Sequence, residues 1–505
     1  MRGEGRVSTP PSGHGLWPWG STISGWLFLR LLGVIYLVAF VSLWPQIAGL
    51  IGHDGILPAG QFLEAARQQL GGARQWVVPT LCWLNASDGF LHGLCAGGVL
   101  LSLLLILDLA PALSLFLLWT VYLSLVTVGQ EFLSFQWDNL LLETGFLAIF
   151  AAPCRLGWRG KGEDAPSTMA LWLLRWLLFR LMFSSGVVKL ASGDPAWRGL
   201  TALTYHYETQ PLPTWIGWYA HQLPAWFQRF SCGAMFGIEL VVPFLIFAPR
   251  LWRRAGCALL LGFQALIAAT GNYMFFNLLA AALCLLLLDN AAWPTRMQEW
   301  WHRRHVDPAI GPGGPSWPTR ILVPASLFLL TVSLVPLTGL FRSRLARPGP
   351  LLTLYRWIAP FRTVDSYGLF AVMTTSRLEI IVEGSQDGIQ WRPYEFTDKP
   401  GELRRRPRFV APHQPRLDWQ MWFAALSSYQ RNPWFLQFCQ RLLEGSPAVL
   451  ALLARNPFPE APPRYVRAVV YAYHFTDPAT RRAEGTWWRR ELKGLYCPVL
   501  SLRGR

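Results

Sequence analysis

The sequence predicts a multi-pass α-helical membrane bundle followed by a smaller, water-facing C-terminal domain of mixed α/β structure with antiparallel strands. Hydrophobic residues make up 52% of the 505 residues and charged residues only 15%, compared with about 25% in soluble domains. The 27 Trp and 30 Phe residues fit aromatic belts at two membrane interfaces. Long apolar runs recur up to residue 340, and shorter alternating or amphipathic patterns follow.

About nine apolar runs are candidates for membrane spans, each of which needs roughly 20 residues. They are predicted at 24–44, 88–109, 111–130, 133–152, 168–190, 228–248, 252–270, 273–289 and 319–340. The first run is too long for a signal-peptide core and no cleavage site of small residues follows, so we expect an uncleaved anchor. We divide the chain into a polar tail (1–20), a transmembrane domain (21–340) with an interfacial loop (191–227), and a C-terminal domain (341–505).

Basic residues in short loops predict the orientation of the spans, because such loops stay on the cytoplasmic side. With a cytoplasmic N-terminus, the inside loops carry Arg155, Arg159, Lys161, Arg250, Arg253, Arg254, Arg296, Arg303 and Arg304. An odd number of spans then places the C-terminal domain in the periplasm, in a lumen or outside the cell. An even number would place it inside.

The C-terminal domain combines a hairpin, short helices and further strands. The segment RLEIIVEGSQDGIQWRPYEF alternates around an Asp387-Gly388 turn, which predicts a β-hairpin. Ser446 and Pro447 predict a helix start. Helices are predicted for RLDWQMWFAAL, WFLQFCQRLL and PAVLALL, and strands for YVRAVVYAYHF and for the segment from Tyr496 to Leu500.

The charge and cysteine content narrow the classes of partner. Residues 341–505 contain 25 Lys and Arg against 13 Asp and Glu, which favours contact with anionic lipid headgroups or an acidic partner. Nucleic acid is not expected, because no binding motif accompanies this charge. The eight Cys have no metal or redox spacing and no cofactor motif is present, so we expect neither a metal nor a cofactor. A disulfide between Cys439 and Cys497 is one option outside the cytoplasm.

The run from Phe179 to Pro213 is the candidate functional stretch. It begins in an apolar segment, leaves the predicted membrane at Lys189 and enters a loop rich in Tyr, His, Trp and Pro. Lys189 is one of only four lysines in a chain with 45 basic residues. It is either an amine that extends to the membrane surface, or an amine that its apolar neighbours desolvate, which lets it act as a base.

The same loop contains the sequence YHYE, followed shortly by QPLP. The prolines favour an extended chain, in which His206 and Glu208 point to the same side and form an acid/base pair. The alternatives are an interfacial segment that packs on the C-terminal domain and a surface that binds a partner.

Ionisable residues inside membrane spans usually face the bundle interior and find partners there. Arg180 on the fifth span and Glu239 on the sixth are expected at similar depth, so we predict a structural ion pair, with a catalytic role as the alternative. Asp138 on the fourth span is expected near Lys189, where it would favour the charged amine.

Several strings in the chain resemble the lipase maturation factor family. They are FRLMFSSGVVKL, DPAWRGLTALTYHYETQPLP and GIELVVPFLIFAPR in the membrane part, and YRWIAPFRTVDSYGLFAVMTT, RLEIIVEGSQDGIQWRPYEF, PRFVAPHQPRLDWQMWFAAL and NPWF in the tail. The resemblance covers roughly residues 20–500. It implies a multi-pass membrane protein without established catalytic activity that helps lipases fold and assemble. It also implies an endoplasmic reticulum membrane in eukaryotes, or the plasma membrane in a bacterium.

The resemblance further implies that the tail engages the client, a lipase or another secreted protein. Together with the loop after Lys189, its aromatic residues are then the expected client-binding positions. These residues are Trp197, Tyr205, Tyr207, Trp391, Trp419, Trp422 and Trp434. Membrane lipids are the other expected contacts, and the oligomeric state is not predicted.

A more distant resemblance concerns the vitamin K-dependent gamma-carboxylases. The pattern GxxKL…W is matched by Gly186, Lys189, Leu190, Trp197 and Gly199. It implies an alternative function, a membrane enzyme that acts on a quinone or lipid. In that enzyme Lys189 would be the base, assisted by His206 or Glu208.

Overall fold

The structure, a computed structural model, describes residues 23–157, 167–305, 317–340 and 349–502. The predicted polar tail (1–20) lies outside these residues. Two basic residues of a predicted cytoplasmic loop, Arg159 and Lys161, lie outside them as well, as does the side chain of Arg304.

The described residues of the transmembrane part form helices joined by turns and short extended segments. Its helices are α1 (Ile23–Leu43), α2 (Ile47–Ile51), α3 (Ala59–Leu70), α4 (Arg74–Val77), α5 (Asp88–Ile106), α6 (Pro111–Val128), α7 (Gln136–Ala151), α8 (Thr168–Ala191), α9 (Pro195–Arg198), α10 (Leu203–Thr209), α11 (Trp215–His221), α12 (Ala225–Leu240), α13 (Arg250–Thr270), α14 (Phe276–Leu285), α15 (Thr295–His305) and α16 (Thr319–Gly339). The predicted interfacial loop therefore contains three short helices, α9, α10 and α11.

Seven helices of the described residues are long and apolar enough to cross a membrane. They are α1, α5, α6, α8, α12 with the turn that extends it to Phe247, α13 and α16. The other two predicted spans form shorter helices, α7 with 16 residues and α14 with 10. The multi-pass bundle is therefore confirmed, and the number of spans remains approximate.

The bundle is organised around α8, which packs against α7, α12, α14 and α16. Within the most apolar 18-residue segment of α8, 72% of the residues are buried. Next to it, α13 and α14 are separated at Gly271, where the extended backbone forms a bridge with Pro213. A Cβ atom at Gly271 would lie 2.1 Å from Gln210 Oε1. A larger residue would therefore displace the Gln210 side chain, which packs against this crossing.

The C-terminal domain is a four-stranded antiparallel sheet with short helices, as predicted. Its elements are α17 (Gly349–Ile358), β1 (Arg377–Ser385), β2 (Arg392–Pro393), α18 (Arg416–Ala425), α19 (Pro433–Glu444), α20 (Pro447–Leu450), β3 (Tyr465–Phe475), α21 (Pro478–Glu484) and β4 (Trp488–Leu500). The strand order is β2-β1-β3-β4.

The predicted hairpin, helices and strands of the tail are confirmed, with three differences in extent, one of which is that α20 ends at Leu450 rather than Leu453. In the hairpin β1 pairs with β2, with Glu383 opposite Pro393, but β2 has only two residues. Ser446 caps α20 by accepting a hydrogen bond from the Val449 amide. The last strand begins at Trp488 rather than Tyr496. Its first half was not predicted, because it lacks the alternation that marks a half-buried strand. The thiols of Cys439 and Cys497 are buried and free.

The C-terminal domain docks on the bundle through a buried ion pair. Arg416 begins α18 and is 1% exposed, and it donates hydrogen bonds of 3.0 and 2.8 Å to the two carboxylate oxygens of Asp138 on α7. A third bond of 2.7 Å goes to the carbonyl of Phe132. The Tyr122 hydroxyl also donates to Asp138. The expectation that Asp138 lies by Lys189 is therefore wrong, because the Asp138 carboxylate pairs with Arg416 of the tail.

Side-chain amides of the bundle extend this contact to loop backbone of the tail. Gln46 accepts a hydrogen bond of 2.9 Å from the Arg416 amide and donates one of 2.7 Å to the Gln414 carbonyl. Asn272 accepts one of 2.8 Å from the Val410 amide. The polar groups of an irregular tail segment are thus satisfied by the bundle, which fixes the two parts relative to each other.

Removing one partner of the Arg416–Asp138 pair should destabilise the protein strongly. Arg416→Met leaves a buried carboxylate without its cation, which costs about 3–5 kcal/mol, whereas the exposed Arg489→Met should have little effect. Chemical or thermal unfolding of the detergent-purified chain measures this. The double variant with Asp138→Leu should lose much less than the sum of the two single losses. Additive losses would contradict the proposed ion pair.

Candidate functional site

The stretch from Phe179 to Pro213 forms part of a cavity of about 470 Å³. The cavity lies between α8, α12 and α13, with α10 and residues 369–370 of the tail as further walls. Most of its lining is apolar. Its polar lining residues are Ser185, Lys189, His206, Tyr207, Ser231, Glu239, Gln264, Thr270, Tyr273 and Asn277. Among the described residues, no group of three His, Cys, Asp or Glu side chains is arranged to hold a metal ion.

Lys189 forms a closed ion pair with Glu239 at the cavity wall. Its Nζ atom lies 2.6 and 2.7 Å from the two carboxylate oxygens, and both side chains are buried. The ammonium group also lies 5.4 Å from the ring centre of Trp197, a distance typical of a cation–π contact. The amine is thus neither exposed at a membrane surface nor free of a counter-ion.

The predicted pairing of Arg180 with Glu239 is wrong. Arg180 and Lys189 lie nine residues apart on α8, about two and a half turns, so their side chains leave opposite faces. Arg180 faces α7, where it pairs with Glu143. Lys189 faces α12 and takes Glu239 instead.

Gly186 permits the close approach that brings Glu239 to Lys189. A Cβ atom at this position would lie 2.7 Å from a Leu240 methyl carbon and 3.0 Å from Glu239 Cβ. A larger residue would therefore push α12 away from α8. The glycine three residues before the lysine is a packing requirement of the ion pair.

Glu143 connects α7 and α8 to the tail segment that precedes β1. Its Oε2 atom accepts hydrogen bonds of 3.0 Å from the Asp365 amide and 2.6 Å from the Tyr367 hydroxyl. Arg180 donates to the Asp365 carbonyl at 3.1 Å. Burial and the neighbouring Glu143 carboxylate raise the pKa of Asp365 to about 7. The bundle and the tail therefore both contribute residues to the hydrogen-bond network on this side of the bundle.

His206 lies on the cavity side of α10 and is neutral. Burial and the nearby Lys189 ammonium lower its pKa to about 4. The Tyr273 hydroxyl donates its proton to Gln210 Oε1 at 3.0 Å. The Tyr273 oxygen, 3.1 Å from His206 Nε2, therefore acts as the acceptor there, so Nε2 carries the proton and donates to the Tyr273 oxygen. A neutral imidazole is thereby fixed at the polar end of the cavity.

Glu208 points away from the cavity, so the predicted acid/base pair with His206 does not form. The YHYE sequence is helical in α10 rather than extended, because the prolines follow the helix instead of interrupting it. Residues two apart on a helix leave different faces. The Glu208 carboxylate accepts hydrogen bonds of 3.0 Å from His474 Nδ1 and 2.7 Å from the Phe475 amide, both on β3.

Arg377 clamps the extended segment that follows α10. Its guanidinium donates to the carbonyls of Glu208, Gln210 and Pro211, with distances of 2.8 Å to Glu208 and 2.9 Å to Pro211. Glu379 pairs with the same guanidinium. Both charged side chains are buried, so these polar positions of β1 face other protein groups and not water. The interfacial interpretation of the loop agrees with these contacts.

Most of the aromatic residues predicted to bind a client cannot reach one in this conformation. Trp197, Trp419, Trp422 and Trp434 are buried. They fill the core between bundle and tail, where an amphipathic ring is stable once its surface is covered. Tyr205 is exposed, and Tyr207 and Trp391 are half-buried.

An exposed row on the edge strand β4 was not predicted from the sequence. Leu492, Leu495 and Val499 are each at least half exposed, and Arg489, Arg490 and Lys493 lie on the same strand. The one sequence feature that marks this surface is the run of basic residues before Tyr496. The same run obscured the strand, because it does not alternate with apolar residues. Arg377 and Glu143 were also missed, because their partners are distant in the sequence.

Comparison with known proteins finds similarity over nearly the whole chain. Residues 23–295 match the family model of the lipase maturation factor transmembrane domain, and residues 363–498 match that of the lipase maturation factor C-terminal domain. Lipase maturation factor 2 of Gallus gallus is 39% identical over 94% of this chain and 81% of its own length. The Homo sapiens protein of that name is 38% identical over 96% and 83%. Lipase maturation factor 1 of Bos taurus is 37% identical over 95% and 89%. No solved structure is significantly similar.

Enlarging Gly186 should destabilise the contact between α8 and α12. Gly186→Val should cost about 1–3 kcal/mol through overpacking, while Gly237→Val on α12, where nothing lies within 4 Å of an added Cβ, should be nearly neutral. Thermal unfolding of the two purified variants measures the difference. Equal stability would show that Gly186 does not set the helix spacing.

The stability of the protein should carry a pH dependence from Asp365. Its pKa in the folded state, about 7, lies above the ordinary value of 3.8. The contribution of the protonated group is therefore lost as the pH rises toward 7. Asp365→Asn cannot ionise, so it should stabilise the protein more at about pH 8 than at about pH 5. Melting temperatures across this range test the prediction, and a pH-independent difference between variant and wild type would contradict it.

Proposed function

The chain belongs to the lipase maturation factor family, and from this premise we propose that it assists the folding and assembly of secreted or membrane-associated lipases. The proposed action is chaperone-like binding of the client by the C-terminal domain, with the bundle as membrane anchor. The family relationship supports the choice of client. The exposed row on β4 is the observation that supports the mode of binding.

The β4 row combines apolar and cationic side chains at an accessible edge. Leu492 and Leu495 are both 56% exposed and Val499 is 50% exposed. Beside them, Arg489, Arg490 and Lys493 outnumber the single carboxylate of the strand, Glu491. Such a surface fits an incompletely folded client that exposes apolar segments with acidic neighbours.

The same strand carries features that oppose open-ended pairing with other strands. Pro498 cannot donate a backbone hydrogen bond, and Lys493 places a charge at the edge. The register with β3 also shifts at several positions, as at β-bulges. We therefore expect the client to contact the side chains of β4 rather than extend the sheet.

The geometry of the bundle supports a C-terminal domain on the side away from the cytoplasm. The tail contacts Gln46 and Asn272, near the ends of α1 and α13. Arg155, Arg250 and Arg254 lie at the opposite end, where α7 ends and α13 begins. Because basic residues favour the cytoplasmic side, we place the tail in the lumen of the endoplasmic reticulum in a eukaryotic cell, or in the periplasm in a bacterium.

A carboxylase-like membrane enzyme is the second candidate, because Lys189 lines a cavity with room for a ligand. The amine would have to release Glu239 or transfer a proton to it before it could act as a base. His206 is close enough to the same cavity to assist, whereas Glu208 is not.

Lys189→Arg, which retains its proton, should abolish turnover by an enzyme and leave a client binder active.

Polar substitution of the β4 row should lower the yield of active lipase. Combining Leu492→Ser, Leu495→Ser and Val499→Ser removes the apolar contacts, and such clusters dominate binding energy. Secreted lipase activity per lipase molecule, in cells that depend on this protein, should fall severalfold. Ile389→Ser is the matched control, because Ile389 is 81% exposed and lies in the turn between β1 and β2, the pair of strands farther from β4. An unchanged yield with a normally expressed triple variant would contradict the proposed surface.

A further inference from the structure

The cavity around Lys189 opens at an apolar part of the outer surface of the bundle. Leu223, Phe230 and Leu266 line it and are 43%, 66% and 66% exposed. Phe230 and Leu266 belong to α12 and α13, two of the helices that can span a membrane. Large exposed apolar residues on two neighbouring spans face acyl chains, so a membrane lipid can enter sideways between them.

The polar groups of the cavity wall carry no net charge. The charges of its one amine and one carboxylate, Lys189 and Glu239, cancel in the closed pair, and His206 is neutral. Tyr207 also lines the cavity, and its hydroxyl forms no hydrogen bond with another described residue. The lining therefore offers hydrogen bonds without an unbalanced charge.

We propose that this cavity binds one uncharged acylglycerol, whose hydroxyl or ester group bonds to Tyr207 and whose acyl chains leave through the opening between α12 and α13. The volume of about 470 Å³ lies within the range of roughly 300–1,000 Å³ for small-molecule sites. It accommodates the glycerol group and the first part of the chains, and the remainder stays in the bilayer.

Charged lipids are excluded by the electrostatics of the same site. A phosphate could pair with Lys189 only by displacing Glu239, which would leave a buried carboxylate unpaired. A zwitterionic headgroup would in addition lose its hydration in an apolar cavity. An uncharged glycerol ester avoids both costs, which selects acylglycerols over phospholipids.

Photolabelling of the full chain in lipid nanodiscs tests the proposal. A diacylglycerol and a phosphatidylcholine with the same photoreactive acyl chains are compared, and labelled peptides are mapped by mass spectrometry. The diacylglycerol should label residues of α8, α12 and α13 that line the cavity. Unlabelled diacylglycerol should compete, and phosphatidic acid should not. Equal cavity labelling by both probes, or competition by phosphatidic acid, would overturn the proposal.

Two variants and one control locate the bound lipid. Ala234→Trp places a large ring in the lining of the cavity and should reduce labelling severalfold. Gly262→Trp, on α13 with open space at its Cβ, should not. Tyr207→Phe removes only the hydroxyl and should weaken competition by diacylglycerol about three- to tenfold, as expected for one lost hydrogen bond. Undiminished affinity in the Tyr207 variant would refute the assigned head-group contact, even if the Trp variants failed to fold.

Discussion

The structure depends on buried charge that is paired between the membrane bundle and the C-terminal domain. Asp138 and Glu143 lie in the bundle, where an unpaired carboxylate is costly, and the tail supplies Arg416 to the first and the Tyr367 hydroxyl to the second. Arg377 of the tail, in turn, donates hydrogen bonds to backbone carbonyls at the end of α10 and in the loop that follows it. Neither part has its polar groups satisfied alone, so the tail is a structural component of the membrane domain.

This docking determines the shape of the cavity. Leu369 and Phe370 of the tail form part of its wall, and the Trp197 indole, which backs Lys189, donates to the Phe370 carbonyl at 2.8 Å. The cavity lies among the helices of the bundle, whereas the β4 row lies on an edge strand of the sheet. Two surfaces with different chemistry therefore belong to one structure, an apolar cavity in the bundle and a mixed apolar and cationic row on the tail.

The sequence predicted the elements better than their partners. Apolar runs and alternation identified the bundle, the hairpin and most strands, because these patterns reflect local burial. The pairing of Arg180 was mispredicted because depth alone was considered, whereas the helical phase places Arg180 and Lys189 on opposite faces. The tryptophans of the tail were assigned to a surface because composition does not reveal that bundle and tail share one core. The contacts of Arg416 and Arg377 join residues more than 160 positions apart, and no local pattern encodes them.

Hydrogen–deuterium exchange of the full chain in nanodiscs tests the docking of the tail most directly. The amides of Asp365, Val410 and Gln414 lie outside regular secondary structure, yet each donates to a bundle side chain, at 3.0, 2.8 and 2.8 Å. If the tail is docked on the bundle, peptides containing them exchange as slowly as β1. Rapid exchange of these peptides beside a protected β1 would show that the tail is folded but not docked, and would contradict the account.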